Sequence, residues 1–293
     1  MKVFVTGGSG QLGSLFCPRV VAAGWELVAP SRTDLDCTER DSVLNAVLSA
    51  EPDVVVHLAA FTDVDRCESE PNLAMLHNAF AVRAVAEASS RVGAHLVALS
   101  TDYVFDGELD RAYTEWDTPN PQSVYGRSKL GGELEAARAM ADVPNTTGAA
   151  IVRTSWLCGP TGKNILRTIL RAATDPDRTL QFVNDQRGRP TFAPDLADAL
   201  VALTRSRVGG TFHVTNGHTV SWFDFAGDIL EAAGLDRSRV VPIATAELNP
   251  PRAALRPPNS ALAGVAWAAA GFSALPDYAQ ALPGMVEQAK AVP

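Results

Sequence analysis

Through its first half the chain alternates two kinds of apolar pattern. Short, nearly unbroken apolar runs fall at 3–5, 25–30, 53–58, 94–99 and 149–155, and between them apolar residues recur every three or four positions. Runs of the first kind fit strands covered on both faces, and the intervening stretches fit amphipathic helices. The spacing predicts a helix from the glycine-rich segment to about Ala23. A second spans 38–49, with Val43, Leu44, Val47 and Leu48, and a third spans 70–92, with Leu73, Leu76, Phe80, Val85 and Ala88. Strand and helix in strict alternation predict an α/β fold, a doubly wound parallel sheet of Rossmann type.

After Cys158 the character changes. A loop is expected at 143–148, a helix with Ile165, Ile169 and Leu170, a turn at 175–178 and a short strand at 180–183. The stretch 194–203 reads as a helix returning to the first lobe, 211–215 as a strand joining its sheet, and Ser221 as the cap of a helix running to Ala233. The tail from Pro242 is rich in Pro and Ala and reads as irregular. The expected division is therefore a nucleotide-binding domain over 1–157, to which 192–216 returns. A smaller mixed α/β substrate lobe is expected from 158–191 and 217–293.

Composition narrows the function. With 293 residues and 46% hydrophobic content the chain can bury one large core or two unequal lobes. The net charge of -8 argues against general affinity for nucleic acid or an anionic membrane, so an anionic ligand must be met locally. No apolar run approaches the ~18 residues of a membrane span, and Met1-Lys2 leads directly into the first strand. These features predict a cytoplasmic protein. Cys17, Cys37, Cys67 and Cys158 are widely spaced, without a CxxC pair, and read as reduced thiols.

The segment 6–13 follows the first strand directly and contains Gly7, Gly10, Gln11, Leu12 and Gly13. Glycines at this spacing let backbone approach a pyrophosphate, and the amides of the following helix favour its charge. This predicts dinucleotide binding. At the end of the second strand an acid would bind ribose hydroxyls and an Arg would accept a 2′-phosphate. Ser31 and Arg32 there favour NADPH, while Asp36 nearby leaves NADH possible. Small Ala59 and Ala60 end the third strand and would let a cofactor ribose lie close. His57 reads as a strand residue, and Asn78 as an ordinary polar helix residue in preference to one that orients a catalytic Lys through water.

Tyr125 and Lys129 stand four residues apart, so on a helix they share a face. A cation at ~4 Å with an effective dielectric of ~20 stabilises phenolate by about 4 kcal/mol, roughly three pKa units as an upper bound. That would bring the phenol toward acid catalysis at neutral pH. A hydroxyl at the end of the fourth strand, in the segment 100–107, can bond a substrate carbonyl.

The glycine triad, STDYVFDG at 100–107 and YGRSKLGGE at 125–133 stand in the order found in the extended short-chain dehydrogenase/reductases. With RTSW at 153–156, GKN at 162–164, NDQRGRPT at 184–191 and RPPNSAL at 256–262, the chain resembles the dTDP-4-dehydrorhamnose reductase family from its first strand to past residue 260. The resemblance implies that Tyr125 donates a proton, Lys129 holds the nicotinamide ribose and lowers the phenol pKa, and Thr101 supplies the third catalytic hydroxyl. It implies a substrate contact at Trp156, which by its size alone would read as core, with Asp102 at the substrate or behind the tyrosine. Asn164 and Arg256 are substrate-binding candidates on the same ground, and Lys163, Arg187 and Arg189 could meet a diphosphate. The implied reaction is reduction by NADPH of the 4-keto group of a nucleotide-linked 6-deoxyhexose. Some relatives form a magnesium-bridged dimer through glutamates that are here replaced, at Ser14-Leu15 and at 192–195. No metal is expected, and the chain is expected to be a monomer or a dimer without that bridge. Ala263 after Leu262, and Tyr278 where Trp is common, could signal a different deoxysugar of secondary metabolism. A regulatory subunit that binds NADP without catalysis, like that of methionine adenosyltransferase, resembles the same family.

Overall fold

The computed structural model describes residues 1–141 and 148–292, so the loop expected at 143–148 lies, apart from Gly148, outside the described residues. The first half alternates as the pattern requires: β1 (Lys2–Thr6), α1 (Gly13–Ala22), β2 (Glu26–Val28), α2 (Arg40–Ala50), β3 (Val54–His57), α3 (Val64–Ser69), α4 (Pro71–Met75), α5 (Ala81–Val92), β4 (His95–Thr101), α6 (Val124–Met140) and β5 (Ala149–Thr154). The second half comprises β6 (Leu157–Cys158), α7 (Ile165–Ala172), β7 (Leu180–Val183), β8 (Arg187–Gly188), β9 (Thr191–Phe192), α8 (Ala193–Ser206), β10 (Gly210–His213), β11 (Val220–Ser221), α9 (Trp222–Ala232), β12 (Val240–Ile243), α10 (Val265–Ala269) and α11 (Tyr278–Ala291).

Six strands form one parallel sheet in the order β10-β5-β4-β3-β1-β2. The central strand β3 is buried throughout, whereas the edge strand β2 is exposed at Glu26. One face is covered by α1 and α8 through Phe16, Leu196 and Leu200, the other by α2, α5 and α6 through Val43, Val85 and Met140. This is the doubly wound arrangement expected. The order reverses between β1 and β3, and in such sheets ligands bind beyond the carboxyl ends at that point.

A third core gathers Leu166, Ile169, Phe192, Phe225, Ile229 and Val286 from α7, β9, α9 and α11, beside the two-stranded pairings β12-β7 and β11-β8. The chain crosses between this core and the α1 face of the large sheet five times. It does so between Val152 and Cys158, at Phe192-Ala193, between Val214 and Val220, between Val240 and Trp267, and between Leu275 and Tyr278.

Two regions depart from the sequence pattern. The helix expected over 70–92 is interrupted by a π-helical turn, Leu76–Phe80. The tail expected to be irregular carries α10 and the 14-residue α11, and Trp267 of α10 packs edge-on against Phe212 of β10 in the large-sheet core. Among the described residues, no helix is long and apolar enough to cross a membrane.

Candidate active site

The glycine segment turns directly off β1. Gly7 has φ +71°, and a Cβ there would lie 2.6 Å from the Ala59 amide nitrogen, so β1 and β3 end back to back with no room for a side chain. A cleft opens over this junction. One arm is lined by Gly7, Gly10, Arg32, Asp36, Cys37, Ala59 and Ala60. The other arm shares Gly7, Gly10 and Ala60 and continues past Gln11, Leu12 and Gly13 to Thr101, Asp102, Tyr125, Lys129, Thr154 and Trp156. The structure thus brings most of the sequence candidates into one continuous opening at the switch point.

In the first arm, the Asp36 carboxylate is engaged by its own turn, accepting from the Thr38 amide at 2.9 Å and the Thr38 hydroxyl at 2.8 Å. Those bonds hold its pKa below the ordinary value. Arg32 lines the same arm, is exposed, and makes no hydrogen bond or ion pair with a described residue. Ser31 does not line the arm. Its hydroxyl donates to Asp34 at 2.6 Å.

In the second arm, α6 starts at Val124. The Ser123 hydroxyl accepts from the Gly126 amide, and Glu68 accepts from the Val124 amide at 2.8 Å. This capping fixes Tyr125 in the first turn. Its ring meets Tyr103 edge-on, with centroids 5.5 Å apart. Lys129, one turn on, donates to the Leu99 carbonyl at 2.6 Å, and burial lowers its pKa to about 8 against the opposing influence of Glu133. The phenol behaves differently from the sequence expectation. Burial pushes the Tyr125 pKa well above its ordinary value, the Thr101 hydroxyl beside it draws it partly back, and Asp102, Tyr103 and Cys67 raise it further. The Lys129 ammonium one turn away does not offset this. Removing a phenol from water costs the charged form more than this cation returns.

Thr101 ends β4. Its oxygen accepts from the Tyr103 amide at 3.2 Å, and its hydroxyl donates to Asp102 Oδ1 at 3.0 Å. Asp102 is 2% exposed, and burial raises its pKa to about 6. Among the described residues, Asp102 Oδ2 and Thr154 Oγ1 have no partner within hydrogen-bonding distance. Buried polar atoms are rarely left so, and both of these residues line the cleft, as expected of groups that meet a ligand.

Trp156 also lines the cleft. It has φ +47°, one face is stacked on Trp222 with centroids 3.5 Å apart, and its edge closes on Gly188. Two further candidates stay outside. Asn164 caps α7, accepting from the Arg167 amide and donating to the Gly159 and Thr161 carbonyls, so its amide is fully engaged. Arg256 forms a two-pronged pair with Asp65 at 3.0 and 2.8 Å. Of the other basic residues, Lys163 lines the cleft, Arg187 lines a separate depression with Asp185 and Asn259, and Arg189 donates to Thr219 at 3.3 Å.

Sequence reasoning missed Thr154 and Tyr103, although Thr154 ends β5 and Tyr103 follows the end of β4, where a ligand site was to be sought. It also treated Asn78 as ordinary. Asn78 accepts from the Phe61 amide at 2.8 Å and donates to the Phe61 carbonyl at 2.9 Å and to Ser128 at 3.0 Å, tying the loop after β3 to α6. Nothing in its local pattern signals those partners.

A six-stranded parallel sheet with a glycine turn at its switch point and a tyrosine and lysine one helical turn apart in the same cleft defines a Rossmann-type protein of the short-chain dehydrogenase/reductase class. The family described as RmlD substrate binding domain matches residues 1–291, and the chain belongs to it. The chain is 41% identical to the dTDP-4-dehydrorhamnose reductase of Streptomyces griseus over 95% of this chain and 90% of that protein. It is 38% identical to the dTDP-4-dehydrorhamnose reductase of Mycobacterium tuberculosis strain H37Rv, over 96% and 91%. Among solved structures it matches dTDP-4-dehydrorhamnose reductase from Bacillus anthracis in complex with NADP, with a TM-score of 0.90 and 34% identity over 98% of this chain and 99% of that one.

Proposed function

We propose that this protein is an NADPH-dependent oxidoreductase that reduces the 4-keto group of a nucleotide-diphospho-6-deoxyhexose, taking dTDP-4-dehydro-L-rhamnose to dTDP-L-rhamnose. The observation that carries the reading is the single cleft running from the exposed Arg32 side chain, over the glycine turn, to Tyr125. The names of the relatives supply the sugar and the cofactor.

NADPH fits the residues present. The bare backbone at Gly7 and the amides of the α1 turn suit its pyrophosphate, Arg32 its 2′-phosphate, and Lys129 and the Ala59-Ala60 corner its nicotinamide ribose. When bound it supplies the hydride. The protein's own residues manage the proton. Tyr125, with its pKa raised by burial, holds its proton throughout the neutral range. An alkoxide formed at the substrate is far more basic, comparable to hydroxide, whose parent water ionises near ~15.7, so transfer from the phenol is downhill. An acidified phenol is therefore not needed for donation. The substrate oxygen would take up hydrogen bonds from Tyr125 and Thr101, which are strongest in so dry a site. The sugar would lie against Trp156 and the third core, the lobe expected from 158–191 and 217–293.

The test is the purified protein with NADPH and the dTDP-4-keto-6-deoxyhexose, followed by loss of nicotinamide absorbance. Tyr125→Phe should lower kcat by ~10² to 10⁴ while NADPH still binds. Undiminished turnover in that variant would remove the phenol from the mechanism. Absence of turnover in the wild type on any nucleotide ketosugar would instead favour a regulatory cofactor-binding protein.

A further inference from the structure

Thr101 has one hydroxyl hydrogen and two acceptor lone pairs. One lone pair is taken by the Tyr103 amide, and the hydrogen points to Asp102 Oδ1. The Tyr125 phenol lies beside this hydroxyl, and both residues line the cleft. With Asp102 ionised, the threonine hydrogen is committed to the carboxylate, and Thr101 can meet a substrate oxygen only as an acceptor. If Asp102 carries a proton it can donate to Thr101, whose own hydrogen is then free to turn into the cleft beside that of Tyr125.

We propose that Asp102 is a positioning residue that sets the direction of the Thr101 hydrogen, its protonated form being the one in which Tyr125 and Thr101 both present hydrogens to the substrate oxygen. The inference rests on the reading of Tyr125 as proton donor. Its physical basis is the fixed valence of the threonine oxygen together with the burial of a carboxyl that lines the cleft.

The surroundings keep Asp102 protonated to higher pH than an ordinary carboxyl, to about pH 6. From α6 it faces the neutral Tyr125 phenol, with Lys129 a turn further and committed to the Leu99 carbonyl. From its own turn it faces Tyr103, whose phenol is pushed up to about 12. On α3, Cys67 is likewise raised, to about 11, and Asp65 is paired with Arg256 and Arg252 of the tail. Burial therefore dominates, offset in part by the Ser260 and Thr101 hydroxyls and by the amides of Asp102 and Tyr103.

The test compares pH profiles of kcat at saturating NADPH and sugar. The wild type should lose activity as pH rises through the Asp102 titration. In Asp102→Asn the side-chain amide can donate to Thr101 at every pH, so that basic limb should vanish while kcat at low pH falls by up to about tenfold, one hydrogen bond's worth. An unchanged limb in Asp102→Asn, or a loss beyond a hundredfold at all pH with NADPH affinity and melting temperature intact, would overturn the proposal. A second readout needs neither cofactor nor turnover. In ¹³C-carboxyl titrations of the ligand-free protein, one aspartate should titrate above the ordinary range and shift in Thr101→Val. If none does, Asp102 is ionised throughout and the proposal fails. Neither outcome depends on Tyr125→Phe, so failure here and failure of the tyrosine assignment are separately visible.

Discussion

Glu133 and Arg153 form a buried ion pair directly behind the candidate site. The carboxylate accepts from Arg153 at 2.6 and 2.9 Å and from the Ser100 hydroxyl at 2.5 Å, and the two side chains are 8% and 5% exposed. The guanidinium also lies over the Phe105 ring. Such a pair is dangerous to break, because the survivor is left charged without water. Arg153→Met should cost ~3 to 5 kcal/mol in urea unfolding, and adding Glu133→Leu should restore much of it. A loss below ~1 kcal/mol in the single variant would show that water reaches the site. This pair was not legible in the sequence. Its members are 20 positions apart and meet only because Ser100 and Arg153 are register partners across β4 and β5. The Tyr125 and Lys129 pair was legible because four-residue spacing on a helix is a local fact. Its electrostatics were not, since burial depends on everything folded around it. Asn164 shows a related limit: its amide, suited to a ligand, is taken up as the cap of α7.

At the scale of elements, α6 is the hub. It packs against α4, α5 and the π-helical turn as well as β4, and Asn78 in that turn reaches Ser128 on it. Close approach is possible because Gly132 faces the turn: a Cβ there would collide with the Asn78 carbonyl and come within 3.1 Å of Val82 Cγ2. Alanine is ordinarily better than glycine inside a helix by up to ~1 kcal/mol. Here backbone stands in the way, and overpacking costs typically ~1 to 3 kcal/mol. Gly132→Ala should therefore lower the melting temperature and, by shifting α6 from β4, weaken NADPH binding. A rise in melting temperature would mean that the turn yields freely. The helix over 70–92 was readable in outline from its periodicity, whereas its interruption was not. The tail helix α11 was overlooked because Pro283 and many alanines suggested irregularity, although Tyr278, Leu282, Met285, Val286 and Ala289 recur at helical spacing and are buried.

For the molecule as a whole, acid should be more damaging than the carboxylates alone would make it. Burial lowers the pKa of His57 to about 3 and of His95 to about 4, and lowers that of His213 as well. Unfolded imidazoles ionise near ~6.5, so below that pH the unfolded chain binds protons that the folded chain refuses. Stability is thus complete above about pH 6.5 and declines as pH falls, by at most ~1.4 kcal/mol per pH unit for each histidine. Asp65, held down to about 2 by Arg256, loses its contribution only below the ordinary carboxylate range. The urea midpoint should accordingly drop between pH 7 and pH 5, and a flat midpoint there would mean that these imidazoles are hydrated. The alternation of strands and helices made the large sheet foreseeable, while the route of the chain between its cores was not, because hydrophobic pattern says what is buried but not against which neighbour. That route has a consequence for how this family can diversify. With five passages of the backbone between the third core and the large sheet, neither core can be exchanged as a cassette between relatives, since a recombinant would have to match at every junction at once. Change in such a chain is confined to replacing side chains around the cleft one at a time.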